Sequence, residues 1–405
     1  MIAAPFAFLW ALSPAVGHWI SLPPRAVGAR PLSANDARTL RLTARRTWRF
    51  FETFVGSEDH ALPPDNFQEE PAPVVAHRTS PTNIGLYLLS TIAAHDFGWL
   101  GMVATIERLE ATLGTMNGLE RFHGHFYNWY DTRDLRPLAP KYLSSVDSGN
   151  LAGHLVALHQ SCQELINRPL LGPWVFSGIT DAILLVRASS RAISDDRRTQ
   201  TVTRKHLDDA LDALAGALNP VPVTTGEWVL RLAELETLAR TLVDIARTLT
   251  AERGDSADAE VLVWAEAVFE DIESHLRDLD MVLPWARLVF GNAVPHPTID
   301  AEQASGSTEI AHLFLTLPTL ADTPDRCETA IDELTAFRAR LANDSTVQRD
   351  ASSRIDSLID SLAGSAAASR ALVRRLSTLS QLSRTLFDAM EFDPIIASTQ
   401  VVTTC

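Results

Sequence analysis

Positive charge is what this 405-residue sequence most plainly lacks. Asp and Glu outnumber Lys and Arg by 50 to 35, for a formal net charge of −15. The basic residues are scattered, with Arg45-Arg46 and Arg374-Arg375 as isolated pairs. A nucleic-acid groove needs clustered cations to displace the counterions of the phosphates, so that partner is excluded and a neutral or polar ligand fits better. Cysteine is equally sparse. Cys162, Cys327 and Cys405 are widely spaced and form no CxxC, which argues against a disulfide framework and a cysteine zinc site and points to a reduced setting. Cys162 sits at a core spacing in a helix and reads as a packing residue. No HExxH is present. His77, His123, His125, His154 and His159 offer nothing stronger than the HGH at a turn, so no metal and no cofactor is expected. A Gly-rich phosphate loop and sustained period-two alternation are missing too, which removes nucleotide folds and sheets from consideration. Pro and Gly occur in ordinary proportions, so the chain is neither collagen-like nor broadly disordered.

What is present is a large apolar fraction, 46% hydrophobic, enough at this length for roughly two to three domains. Met1–Leu22 contains no Lys, Arg, Asp or Glu and approaches the roughly 20 residues that a bilayer span requires. Arg25 and Arg30 follow it, which predicts a membrane segment at 1–22 with the bulk of the chain on the cytoplasmic side, the alternative being a buried helix. Residues 23–35 read as a linker. All four tyrosines, Tyr87, Tyr127, Tyr130 and Tyr142, fall in one stretch with Trp48, Trp99 and Trp129. Beyond about residue 165 the aromatics thin out in favour of Leu, Ala, Arg, Asp, Glu and Thr. The composition therefore predicts a functional segment at 36–165, a long helical region at 166–392, and a β-branched, capless tail at 393–405.

Periodicity and punctuation make the chain all-α. Ser80-Pro81 opens a helix of 81–96, with Ser as the cap and Pro in the first turn, closed near Gly98. Ile106, Leu109, Leu113 and Met116 define a second over 102–116. Leu151, Leu155, Leu158, Cys162 and Leu165 define a third, starting near Ser148. Leu235 to Leu249 and Leu372 to Met390 carry short heptad-like stripes, too short for a coiled coil and suited to paired antiparallel helices.

The polar and aromatic residues gather in the loops before the first and third of these helices. Because successive helices alternate in direction, those loops share one end of the fold, together with helix N-termini bearing free N–H groups. Sugar binding needs flat aromatic faces and planar polar groups, and Phe126-Tyr127-Asn128-Trp129-Tyr130-Asp131 offers both. Alternation would set Tyr127 and Trp129 on one face and Phe126, Asn128 and Tyr130 on the other; it leaves open whether the aromatics serve a ligand or the core. Asp147 is either a helix cap or a ligand contact. Asp65 and Glu69 are either site residues or solvated surface. Arg78 is placed to orient a carboxylate or a hydroxyl.

The blocks TWRFFETFVG, LPPDNFQEEP, VAHRTSPTNIGLYLLSTIAAHDFGWLG, RLEATLGTM, GHFYNWYDTRDLRPL and KYLSSVDSGNLAGHL together resemble the middle domain of bacterial cyclic β-1,2-glucan synthases. The likeness spans about 40–165. SPTNIGL, FYNWYD and SSVDS are more distantly similar to endo-β-1,2-glucanases with an (α/α)6 toroid. The resemblance implies that 36–165 is the first half of such a toroid and 166–392 a helical-bundle insertion. It also implies that the apolar run is the last membrane helix of an inner-membrane enzyme. In that family a glycosyltransferase domain elongates a linear β-1,2-glucan, the middle domain closes it into a ring by retaining transglycosylation, and a phosphorylase-like domain trims it. The implied partners are a β-1,2-glucan chain, the bacterial inner membrane and the remainder of the synthase. The implied substrate-binding residues are Asp147, Asp131, Trp129, Tyr127, Arg78, Asn83, Asp65 and Ser145, with Asp147 nearest the scission point. A retaining mechanism wants two carboxylates about 5–5.5 Å apart. No convincing pair stands in this sequence, so the catalytic residues are unassigned and the chain is expected to be inactive alone. The alternative is a non-catalytic glucan-binding or scaffold fragment.

Overall fold

A computed structural model describes residues 4–21, 32–191, 193, 201–253, 256–290, 313, 315–341 and 348–393. The framework is helical, as its periodicity predicts. The helices are α1 (Ala4–Ser21), α2 (Ala34–Phe54), α3 (Pro81–Phe97), α4 (Met102–Gly118), α5 (Ser145–Ile166), α6 (Pro173–Ser190), α7 (Arg204–Ala217), α8 (Thr225–Arg253), α9 (Ser256–Val282), α10 (Pro284–Phe290), α11 (Thr323–Leu341) and α12 (Gln348–Asp388). Strand among the described residues is confined to three antiparallel pairs of two residues each. These are β1 (Phe67–Gln68) with β2 (Val74–Val75), β3 (Arg78–Thr79) with β6 (Tyr130–Asp131), and β4 (Arg121–Phe122) with β5 (His125–Phe126). All but the first residue of the tail expected at 393–405 lies outside the described residues, as does Cys405.

The chain divides into two compact units, Met1–Arg41 and Leu42–Cys405. In the first, α1 occupies most of the run from which a membrane segment was expected, but that expectation needs correcting. No helix among the described residues is long and apolar enough to cross a membrane. The physical reason is dilution. Within 18 residues α1 carries an internal Pro14 together with His18, two serines and two tryptophans, against a hydrocarbon core that asks for about 20 predominantly apolar residues.

The second unit is built on helix faces whose apolar positions meet. Ile106, Leu109, Leu113 and Met116 of α4 are fully buried, and so are Leu151, Leu155, Leu158 and Cys162 of α5. Both stripes follow the 3.6-residue period that their sequences show. Burial drives both free thiols that are described, Cys162 and Cys327, up to about 12. The long helical stretch adds its own side chains to this core. α12 packs along α5 and α11, α6 and α8 pack along α9, and one apolar cluster runs from Leu62 to Met390.

Two boundaries differ from expectation. α5 starts at Ser145 rather than near Ser148, because Ser144, in extended backbone, is the residue whose hydroxyl accepts from the N–H of Asp147. α4 runs on to Gly118, two residues past its last apolar position.

Candidate functional site

Two serine-capped helix starts define one end of the second unit. Ser80 Oγ accepts from Asn83 N at 3.2 Å, with Pro81 supplying the preset backbone of the first turn. Ser144 does the same for α5. The two starts lie side by side, since Asn150 Nδ2 donates to Thr82 Oγ1 at 3.3 Å and α3 packs along α5. Gly85 makes that approach possible: the His154 ring lies where a Cβ at this position would sit.

The preceding loops are drawn together by the β3–β6 pairing, which sets Arg78 opposite Asp131 and Thr79 opposite Tyr130. Asn128 N donates to Tyr142 O at 2.9 Å and Leu138 N donates to Trp129 O at 2.9 Å. Tyr130 is the bolt of this loop. Its hydroxyl donates to Glu120 O at 2.6 Å and accepts from Tyr127 N at 2.8 Å, and burial pushes its ionisation well above the usual phenol range.

A continuous polar array results. Arg78 donates Nε and Nη2 to Asp65 Oδ2 at 3.1 and 2.9 Å, while Asn83 Nδ2 reaches Asp65 Oδ1 at 3.3 Å. The Arg78 guanidinium lies 4.7 Å from the centre of the Trp129 ring, close enough for a cation–π attraction. Trp129 Nε1 donates to the Asn128 side-chain oxygen at 2.7 Å, and Tyr142 OH donates to the same oxygen at 2.5 Å. The Asn128 amide nitrogen then donates to Asp147 Oδ2 at 3.1 Å, the orientation in which all three groups are satisfied.

Of the residues singled out in the sequence, Asp65, Arg78, Asn83, Trp129 and Asp147 are thus brought together. Asp131 sits beside them by backbone pairing, but its carboxylate is turned to the N–H groups of Arg133 and Asp134 at 2.8 and 3.2 Å, closing a local turn. Tyr127 is only 7% exposed and has Lys141 Nζ 5.4 Å from its ring centre; Trp129 remains half-buried. Strict alternation fails here because Phe126, Tyr127, Asn128 and Tyr130 are all buried. Ser145 lies exposed in the first turn of α5.

Two groups escape a sequence reading. Asn128 and Tyr142, fourteen residues apart, are the hub of the array, and only their shared contact reveals it. Asp59 is buried, accepts from Thr132 Oγ1 and lies 2.8 Å from His77 Nδ1, tying the loop before α3 to the loop after β6. The other histidines are spread out. His123 and His125 hold the chain after α12 at Glu391, and His159 faces Ser380. Among the described residues no group of three or more His, Cys, Asp or Glu could hold a metal ion.

Chemically, the end of α3 and α5 presents two carboxylates, a guanidinium, two amides, a phenol and a half-buried indole. Planar donors and acceptors are thus held in place around an aromatic surface, groups of the kind that can hydrogen-bond hydroxyls. The class of protein this defines is helical, with a polar and aromatic array laid across two adjacent helix starts. No family model matches the chain. Over 278 residues it is 40% identical to the cyclic β-(1,2)-glucan synthase NdvB of Rhizobium meliloti (strain 1021), a match covering 68% of this chain and 10% of that protein. That identity supports kinship with the synthase family. The chain spans about a tenth of the length of the curated relative it matches.

Proposed function

We propose that this chain contributes the glucan-handling cleft of a cyclic β-1,2-glucan synthase, in the part that cuts a linear β-1,2-glucan and closes it by transglycosylation. On this reading residues 36–165 form the first half of an (α/α)6 toroid and 166–392 the helical insertion. The ligand contacts are Asp147, Trp129, Arg78, Asn83 and Asp65, with Asp131, Tyr127 and Ser145 at the margin. The observation that carries the proposal is the array from Asp65 through Arg78, Trp129 and Asn128 to Asp147, laid across two adjacent helix N-termini. Asp147 closes the array at its far end: the α5 cap is Ser144, and the Asp147 side chain accepts from the Asn128 amide instead.

The partners on this reading are a β-1,2-glucan chain and the remaining domains of a larger synthase. Location at the cytoplasmic side of the inner membrane is proposed through that larger assembly rather than through α1, and carbonate-washed membranes that release the full-length enzyme would refute it. Asp65 is engaged by Arg78, Asn66 and Asn83, which favours gripping over bond cleavage for that carboxylate. The same observation supports the second reading, a glucan-binding segment without catalytic carboxylates of its own.

The test is Asp147→Asn in a full-length synthase. Asn keeps the size of the side chain and removes its charge. Ring closure should fall by orders of magnitude while linear glucan continues to lengthen, both followed by mass spectrometry. Unchanged cyclisation would sink the assignment of Asp147 to the cleft.

A further inference from the structure

A concavity of about 470 Å³ opens between α2, the Trp99–Leu100 turn and α9. It lies at the C-terminal end of α3, away from the array at the N-terminus of that helix. Its wall carries Arg49, Glu52, Trp99, Arg108, Glu270 and Asp271, none of which takes part in that array. The volume is in the range of small-molecule sites.

Asp271 supplies the independent observation. It is 2% exposed. Its Oδ1 accepts from Arg45 Nη2 at 3.2 Å, but its Oδ2, buried in the same wall, has no hydrogen-bond partner in the protein. A buried carboxyl oxygen left unsatisfied is costly, and a hydroxyl entering the cavity, donor and acceptor in one group, relieves that cost. The choice of ligand follows from the surroundings. Arg49 and Arg108 share the wall with Glu52, Glu270 and Asp271, and the buried Arg45 behind it bonds Glu52 and Asp271, so the charges nearly balance, which disfavours polyanions and polycations alike. The unsatisfied Asp271 oxygen, the Glu270 carboxyl and the Arg49 and Arg108 guanidiniums in one wall suit a molecule with many hydroxyls, each both donor and acceptor. Trp99 and Leu100 supply the apolar part of the wall.

We propose that this cavity is a second saccharide subsite, taking one or two neutral hexosyl units. In it Asp271 Oδ2 and Glu270 accept hydroxyl protons, and Arg49 and Arg108 donate to hydroxyl and ring oxygens. The identity of the sugar rests on the glucan reading above; the existence of the site does not.

Two indoles separate the two sites. Trp99 Nε1 donates to Asp181 beside the cavity at 3.0 Å, and Trp129 Nε1 donates to Asn128 in the cleft. The full chain, labelled with 15N at the indole nitrogens, is titrated with the β-1,2-linked glucose disaccharide, and the two signals are followed by NMR. Saturable shifts of both are expected. Glu270→Gln should weaken the Trp99 titration about tenfold, the loss of one charge-assisted hydrogen bond, and leave the Trp129 titration unchanged, which also verifies that the variant is folded. A shift of Trp129 alone would overturn the subsite and leave the cleft assignment standing. A shift of Trp99 alone would support the subsite and count against the cleft. Silence at both would overturn both, and a Trp99 titration untouched by Glu270→Gln would overturn the proposed contacts.

Discussion

The two sides of the Asn128 amide face different partners, with Trp129 and Tyr142 on its oxygen and Asp147 on its nitrogen. A residue in the middle of an aromatic run thereby sets the position of a carboxylate nineteen positions later. A comparable device works at the other end of α3 with titratable groups. Three α9 side chains hold the turn between α3 and α4. His275 Nε2 donates to Gly98 O at 2.9 Å, Ser274 Oγ accepts from Gly101 N, and Asp278 accepts from Met102 N and Val103 N at 2.6 and 2.8 Å. Burial lowers His275 from 6.5 to about 4 and raises Asp278 from 3.8 to about 7. The signs oppose each other. The neutral His275 contributes stability above pH 6.5 that is lost as pH falls toward 4. The protonated Asp278 contributes stability that grows over nearly the same window, and each shift is worth roughly 3–4 kcal/mol. Asp278→Asn removes the compensating group. Urea melts of that variant should lose stability more steeply from pH 7 to pH 4 than the parent does; equal slopes would mean that Asp278 titrates like an exposed carboxylate.

Among the elements, the turn His123-Gly124-His125 has the most distant consequence. His125 Nε2 donates to Glu391 O at 2.9 Å, Glu391 N donates to His123 O at 3.1 Å, and Phe392 packs edge-on against the His125 ring. The chain leaving α12 is therefore docked next to the aromatic loop. Gly124 permits this twice over. It adopts φ +76°, and a Cβ there would collide with the Ala389 carbonyl. Left-handed backbone costs a residue with a side chain about 1–2 kcal/mol, and the collision adds to it. Gly124→Ala should lower the unfolding free energy by at least about 2 kcal/mol and perturb the indole signal of Trp129. A melting temperature matching that of the parent would show that α12 docks independently of this turn. The sequence marks HGH only as a turn; a partner 266 positions away leaves no local trace.

At the scale of the whole second unit, the helices after residue 165 complete the core of the helices before it. Arg45 shows how closely. It is fully buried on α2 and bonded to Glu52 at 2.9 Å and to Asp271 of α9, 226 positions on, at 3.2 Å, with its guanidinium 5.7 and 5.5 Å from the Trp99 and Trp264 rings. Removing one member of a buried ion pair strands the other charge and costs about 3–5 kcal/mol. Arg45→Met should therefore destabilise the unit by that amount in a single cooperative urea transition. A transition that splits in two, with only one half shifted, would show that the early and late helices fold separately.

The helical class and the buried stripes of α4 and α5 were legible from the residues alone, because a 3.6-residue period and a serine before the first turn are local signals that tertiary contacts only confirm. The gathering of Asp65, Arg78, Asn83, Trp129 and Asp147 at one end was legible in outline, since alternating helices must bring every second loop to the same side. Tyr127 and Asp131 lie at the margin of the array for a physical reason. A two-residue strand pair and a tight turn set their directions, and period-two alternation does not extend through so short a segment. The hub at Asn128, the orphaned Asp271 oxygen and the docking of α12 on Gly124 all depend on atoms far apart in the chain. Only the tertiary structure decided them, because hydrogen-bond geometry is fixed by where whole helices pack, and the packing depends on every buried side chain at once.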